Sequence, residues 1–188
     1  MKRLALILAL ACVGCDGTST PLKRPYTVQP EYPTVNLPKS LRQQNWLGSA
    51  NEGSCVYATM VMALRWQGRH DLAAKMKGYG NGSWSERLTA DFTREGIRFA
   101  ETETGDVKFL EWACRTRRGC GITWGYNGRA SGHMLLLVHL DDKYAAILDN
   151  NFPTKITWYK REALLNFWKS GSGWAVTPSV GPPAAPLP

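Results

Sequence analysis

The sequence predicts an α+β domain in which a buried central helix packs on an antiparallel sheet. Three observations carry that prediction. Residues 56–64 are apolar almost without interruption, which suits a helix hidden on every face. Residues 134–138 and 144–148 are short apolar runs on either side of Asp141-Asp142-Lys143, the pattern of a hairpin. Helical stretches and further short strands surround these two features, as α+β architecture requires.

Taken in order, Met1-Lys2-Arg3 and the apolar run that follows have the form of an export signal, too short to span a bilayer. Gly14-Cys15 is similar to a lipobox, which implies lipid on Cys15, although Cys12 stands where Leu or Val is usual. Cleavage before Cys12 is the alternative. Residues 1–15 are therefore expected to be signal, and residues 16–45, rich in Pro, Thr and Ser, an extended tether. The folded domain is expected over 46–177, with a Pro/Ala-rich tail over 178–188. The expected location is the cell envelope or periplasm, with the membrane touched only through lipid on Cys15.

Within the domain, Ser54 is suited to cap the buried helix and Gly68 to stop it. A helix over 84–94, a strand over 97–100 and a second helix over 107–116 follow. A strand over 121–124 then leads to the hairpin. A helix over 161–169 and a closing strand over 173–176 complete the domain. Trp46, Trp66, Trp124, Trp158 and Trp174 are expected in the core or in a cleft wall.

The formal charge is +8, but the basic residues are scattered, apart from a run at 115–118. No motif or basic stripe accompanies them, so a nucleic-acid module is not indicated. Three scattered histidines make no zinc pattern, the C-x-x-C spacing of Cys12 and Cys15 falling within the signal segment. No metal and no cofactor are expected, and the chain is expected to be a monomer.

The chemistry lies with the cysteines. If Cys12 is removed and Cys15 carries lipid, then Cys55, Cys114 and Cys120 remain. In an oxidising compartment Cys114 and Cys120 are close enough in sequence to pair as a disulfide. Cys55 is then the odd thiol, placed in the first turn of the buried helix. Free main-chain N–H groups and the helix dipole there favour an anion and lower a thiol's pKa. A nucleophilic cysteine also needs an imidazole to take its proton and a third group to orient that imidazole. His133 opens the first hairpin strand. Pairing about Asp141 places it opposite Asp149, and a register one residue longer places it opposite Asn150. Either side chain can fix its tautomer. His139 lies about 20 Å further along the strand, at ~3.3 Å per residue, and cannot share the site. His70, in a polar stretch, is expected on the surface.

Gly53-Ser54-Cys55 at the head of the helix, Gly132-His133 before an apolar strand, and Asp149 beyond it together resemble papain-like cysteine peptidases. The likeness is greatest to the compact bacterial branch related to the bacteriocin-processing peptidases, and it spans about residues 53–176. The resemblance implies a papain-like fold, with Cys55 as nucleophile, His133 as general base and acid, and Asp149 as the orienting residue. It implies peptide or protein as substrate. In that family an oxyanion-hole Gln stands six residues before the cysteine, where this chain has Ser49. Gln44 or Asn51 is the expected substitute. A binding module with a weakened site, and a cell-wall amidase or acyltransferase, are the competing functions. No export role of the kind that branch serves is expected, because nothing after residue 15 reads as able to span a bilayer or bind ATP.

Overall fold

The computed structural model describes residues 31–35, 37–47, 53–80, 85–124 and 132–181. The signal segment, Cys15, Asn51, most of the expected tether and the tail beyond residue 181 lie outside the described residues.

Among the described residues there are five α-helices and one six-stranded antiparallel sheet. In chain order these are α1 (Cys55–Trp66), α2 (His70–Lys77), α3 (Ser85–Arg94), β1 (Phe99–Thr102), α4 (Val107–Arg115), β2 (Cys120–Trp124), β3 (His133–Leu140), β4 (Tyr144–Leu148), β5 (Ile156–Lys160), α5 (Arg161–Gly171) and β6 (Ala175–Pro178). The strand order is β1-β6-β2-β3-β4-β5. The α+β prediction holds, as does the buried helix against an antiparallel sheet.

The apolar pattern of each element follows from three layers. Met134, Leu136 and Val138 of β3 face α1, while Leu135 and Leu137 face α4 and α5. Because both faces of this strand are covered, its run is apolar without alternation. On the outer side of α1, α2 contributes Leu72, Ala73 and Met76, and α3 contributes Leu88 and Phe92. With sheet below and helices above, every α1 residue from Val56 to Leu64 is buried. Where α1 crosses β2, a side chain would be in the way: a Cβ on Gly121 would sit 2.5 Å from Met60 Cε and 2.9 Å from Met134 Sδ.

Gly68 ends α1 as expected. It adopts φ +76°, its N–H donates to the Arg65 carbonyl at 3.0 Å, and the Arg69 N–H donates to the Leu64 carbonyl at 2.9 Å. This is the left-handed stop that glycine favours. Ser54 differs from expectation. It makes no side-chain cap; its Oγ instead accepts the N–H groups of Trp46 at 2.8 Å and Leu47 at 3.1 Å.

Three further differences matter. The packed unit begins at Tyr32, not at residue 46. Leu37 is 2% exposed and lies with Val35 and Leu41 against Met62, Trp66 and Leu148, while Tyr32 stacks on Trp158 at 4.9 Å. The proline-rich composition hides a strap that is apolar at the right places. Second, α2 and β5 were not expected; α2 has only eight residues and β5 is a half-buried edge, so neither has a strong period. His70 is the first residue of α2.

The third difference is the hairpin register. Asp141 N–H donates to the Tyr144 carbonyl at 2.9 Å, which leaves only Asp142 and Lys143 in the turn. A bulge lies between Leu137 and His139, beyond which Leu136 pairs with Leu148. The turn carries the register past either expected alignment and the bulge takes one residue back, so the pairing ends with Leu136 opposite Leu148, and Asp149, Asn150 and Asn151 lie beyond β4.

Candidate functional site

The site forms where α1 begins, β3 begins and β4 ends. Ala58 N–H makes the first intrahelical bond, to the Ser54 carbonyl at 2.8 Å. The N–H groups of Cys55, Val56 and Tyr57 therefore precede the helical ladder. Cys55 is half-buried, so its thiol is both shielded and reachable.

Asp149 lies just beyond the end of β4, one residue after Leu148, and its Oδ1 takes the N–H of His133 Nε2 at 2.8 Å. The contact predicted between these residues is present, made from just beyond the end of β4 and not across a strand pair. The same carboxylate oxygen accepts the Asn151 N–H at 2.8 Å, which holds it in place. With Nε2 taken, Nδ1 is the nitrogen left for Cys55, and the two groups are near enough for each to shift the other's pKa.

The electrostatics follow from these contacts. Burial works against a charged Cys55, but the bond from His133, the Met134 and Val56 N–H groups and the nearby imidazolium outweigh it. The thiol is held below its ordinary value. Burial also opposes charge on His133, yet the bonds to Cys55 and Asp149 outweigh it and hold the imidazole above its ordinary value. Each group stabilises the charged form of the other.

Asn150 does not serve His133. It is fully buried, and its Nδ2 donates to main-chain and hydroxyl oxygens beneath the thiol. Gln44 does not serve the site either: its side chain is exposed and no bond ties it to the triad. The neighbouring residue does so instead. Asn45 Oδ1 accepts the Ser54 N–H at 2.9 Å and the Ser54 hydroxyl, and its main-chain N–H donates to the Asn150 carbonyl at 2.8 Å. Its Nδ2 donates to Asn151 Oδ1 at 3.2 Å and lies 3.3 Å from where a Gly53 Cβ would be. The second hydrogen of Nδ2 has no partner among the described residues. Asn151 completes the ring of amides, its Nδ2 lying 3.4 Å from His133 Nε2.

Asn45 is the functional candidate that sequence reasoning missed. Its amide arrives through the strap, and a fixed offset from Cys55 does not reveal it. The Asn-Asn pair at 150–151 is the sequence signal that more than one amide serves this corner.

Trp124 pairs with His133 across β2 and β3 and stacks on Phe167 at 3.9 Å, with Tyr159 beside it. All three are half-buried, so they form an aromatic wall on one side of the triad. Trp66 and Trp174 are core residues. His139 is bonded to Asp141 at 2.7 Å, apart from the site as expected.

Cys114 and Cys120 are free thiols in the structure, which corrects the expected disulfide. They sit at the end of α4 and the start of β2, packed in the α4–α5 core. Burial pushes Cys114 up to about 12 and Cys120 well above its ordinary value. Burial thus disfavours the thiolate at both, in contrast to Cys55. Among the described residues no group of His, Cys, Asp and Glu could hold a metal ion. No described helix is long and apolar enough to cross a membrane.

The side chains define a Cys–His–Asp arrangement in which a half-exposed thiol is paired with an oriented imidazole. No family model, curated protein or solved structure matches the chain.

Proposed function

We propose that this chain is a cysteine peptidase of papain-like type, hydrolysing peptide bonds through Cys55, His133 and Asp149. One observation carries the reading: Asp149 Oδ1 holds His133 Nε2 at 2.8 Å, and the same imidazole stands near enough to the half-buried Cys55 to hold its thiol below the ordinary value. A structural histidine needs no thiol on its second nitrogen, whereas a general base for sulfur does.

In the proposed reaction the Cys55 thiolate attacks the carbonyl carbon of the scissile bond. The carbonyl oxygen becomes an oxyanion, facing the Cys55 N–H and the spare hydrogen of Asn45 Nδ2. When the oxyanion collapses, the C–N bond breaks and His133 Nδ1–H gives its proton to the leaving amine. Water then loses a proton to the neutral imidazole and attacks the thioester. The acid leaves and the thiolate is restored. Asp149 keeps the imidazole in the tautomer that presents Nδ1 throughout. No cofactor takes part. The Cys55 side of this exchange uses no group from Cys114 or Cys120.

Peptide or protein is the proposed partner, and the protein acts as an exported monomer anchored through lipid on Cys15. The mass of the mature N-terminus checks the anchor.

Hydrolysis of a mixed peptide library, with Cys55→Ala as control, tests the activity. Iodoacetamide labelling across pH tests the chemistry beneath it. Cys55 should alkylate well below the pH of an ordinary thiol, and His133→Ala should abolish that advantage. A Cys55 that behaves alike in both proteins would sink the peptidase reading. A reactive Cys55 without cleavage of any peptide would leave another thiol acyl transfer as the function.

A further inference from the structure

Asn150 is 0% exposed, and its Nδ2 sits among three acceptors: the Met134 carbonyl at 2.8 Å, Thr59 Oγ1 at 3.0 Å and the Cys55 carbonyl at 3.1 Å. The two carbonyls belong to the residues on which the site depends. Cys55 carries the thiol. Met134 follows His133 directly on β3.

These residues lie on different elements, α1 and β3. The Thr59 hydroxyl ties α1 to the Met134 carbonyl at 3.1 Å, but the Asn150 amide is the side chain that reaches the carbonyl of Cys55 itself as well as that of Met134. Its orientation follows from the acceptors: turned over, Oδ1 would face two carbonyl oxygens. As it stands, Asn150 Oδ1 is buried without a partner among the described residues. Leaving an acceptor bare in the interior is unfavourable, and the two carbonyl bonds are what offset it. The Asn150 carbonyl also accepts the Asn45 N–H at 2.8 Å, so the same residue fastens the strap that brings Asn45 to the site.

We propose that Asn150 is a positioning residue, clasping the Cys55 and Met134 carbonyls so that the thiol meets His133 at bonding distance. The proposal rests on the peptidase reading above. It differs from the orienting role of Asp149, because Asn150 acts on the nucleophile and not on the imidazole.

The test follows Cys55 alkylation by iodoacetamide from about pH 5 to about pH 9, the span over which perturbed thiols titrate. Four proteins are compared: the full chain, His133→Ala, Asn150→Ala and Thr59→Val. Thr59 Oγ1 donates to the Met134 carbonyl at 3.1 Å. Thr59→Val therefore removes a buried hydroxyl from the cluster while leaving both carbonyl bonds of Asn150.

In Asn150→Ala the alkylation rate near pH 6 should fall at least about tenfold, toward the ~10²-fold that an ångström of misplacement costs. Thr59→Val should unfold more easily yet keep the profile of the unaltered chain. An Asn150→Ala profile superposable on that of the unaltered chain overturns the proposal and leaves the His133 dependence standing. An equal shift in Thr59→Val also overturns it, because loosening alone would then explain the effect. A Cys55 that is ordinary in all four proteins overturns the peptidase reading, and this proposal with it. Should Asn150→Ala fail to fold, the Asn150 side-chain amide is followed by NMR in the unaltered chain. Its protons should exchange slowly and shift when Cys55 is alkylated; fast exchange or no shift overturns the proposal.

Discussion

Burial alone would make Cys55 a poor nucleophile, because removing a thiolate from water raises the thiol's pKa. At Cys55 that effect is outweighed by His133 and two main-chain N–H groups; at Cys114 nothing opposes it, and the thiol reaches about 12. For the proposed peptidase the pH dependence of activity has a definite sign. As pH rises through the lowered Cys55 value the thiolate appears and kcat/KM rises. As pH rises further through the raised His133 value the imidazolium is lost and kcat/KM falls. Asp149→Ala removes a bond that raises His133, so the upper limb should move to lower pH. Asn45→Ala should leave both limbs in place and lower the plateau in kcat by about 10²–10³-fold, the usual loss for one oxyanion donor. Comparing the two kcat/KM profiles separates the roles. If Asn45→Ala moves a limb, or leaves the plateau unchanged, its assignment as a donor is wrong. At this scale the sequence was informative about types and order: the grouping of Cys55, His133 and Asp149, proposed as nucleophile, base and orienting acid, could be read from it. It could not show Asn45, because reach through a strap leaves no fixed spacing.

At the scale of elements, the hairpin turn is the clearest case. Asp141 Oδ1 accepts the N–H groups of Lys143 and Tyr144, each at 2.7 Å, and Oδ2 is bonded to His139 at 2.7 Å. Burial disfavours its charge, but those three partners outweigh burial and hold the carboxyl down to about 2, against an ordinary 3.8. As pH falls, the unfolded chain takes up this proton before the folded one does. The contribution of Asp141 is thus complete above about pH 4 and is lost as pH falls toward about 2. Asp141→Asn should flatten the fall in stability over that window, read as urea midpoints at a series of pH values. An unchanged slope would show that the turn does not depend on the carboxylate. The hairpin itself was legible from two apolar runs around Asp141-Asp142-Lys143. Its register was not, because a bulge near Val138 and the choice of turn residues are settled by bonds, and hydrophobic pattern is blind to both. Similarly, α2 is short and depends on packing against α1 instead of a strong period of its own.

For the molecule as a whole, the strap is part of the domain. Arg42 fastens it to the loop after β4, its Nη1 donating to the Pro153 and Thr154 carbonyls, each at 3.1 Å. A chain beginning at Tyr32 should match the full chain in stability. One beginning at Arg42 should lose at least about 2–3 kcal/mol, the value of burying a residue such as Leu37. Urea midpoints of the two chains check this, and equal midpoints would mean that the strap is only laid against the surface. The α+β class and the layering of α1 on the sheet could be read from the sequence because continuous apolar runs are the signature of elements covered on both sides. The domain's starting point could not, since proline-rich composition describes an average and Leu37 is a single residue within it.

The covering of α1 has a further consequence, which arises before the fold exists. Residues 55–64 contain no charged residue and no proline. Their neighbours on the outer side, α2 and α3, follow at once, but on the inner side they are strands up to residue 176, made late in the chain and joined by long-range pairing. Until those strands assemble, the sheet-facing side of this stretch stays bare, and long-range pairing is slow. Other chains are then the nearest apolar partners, so the helix that stabilises the finished protein makes its assembly dependent on dilution or on a chaperone.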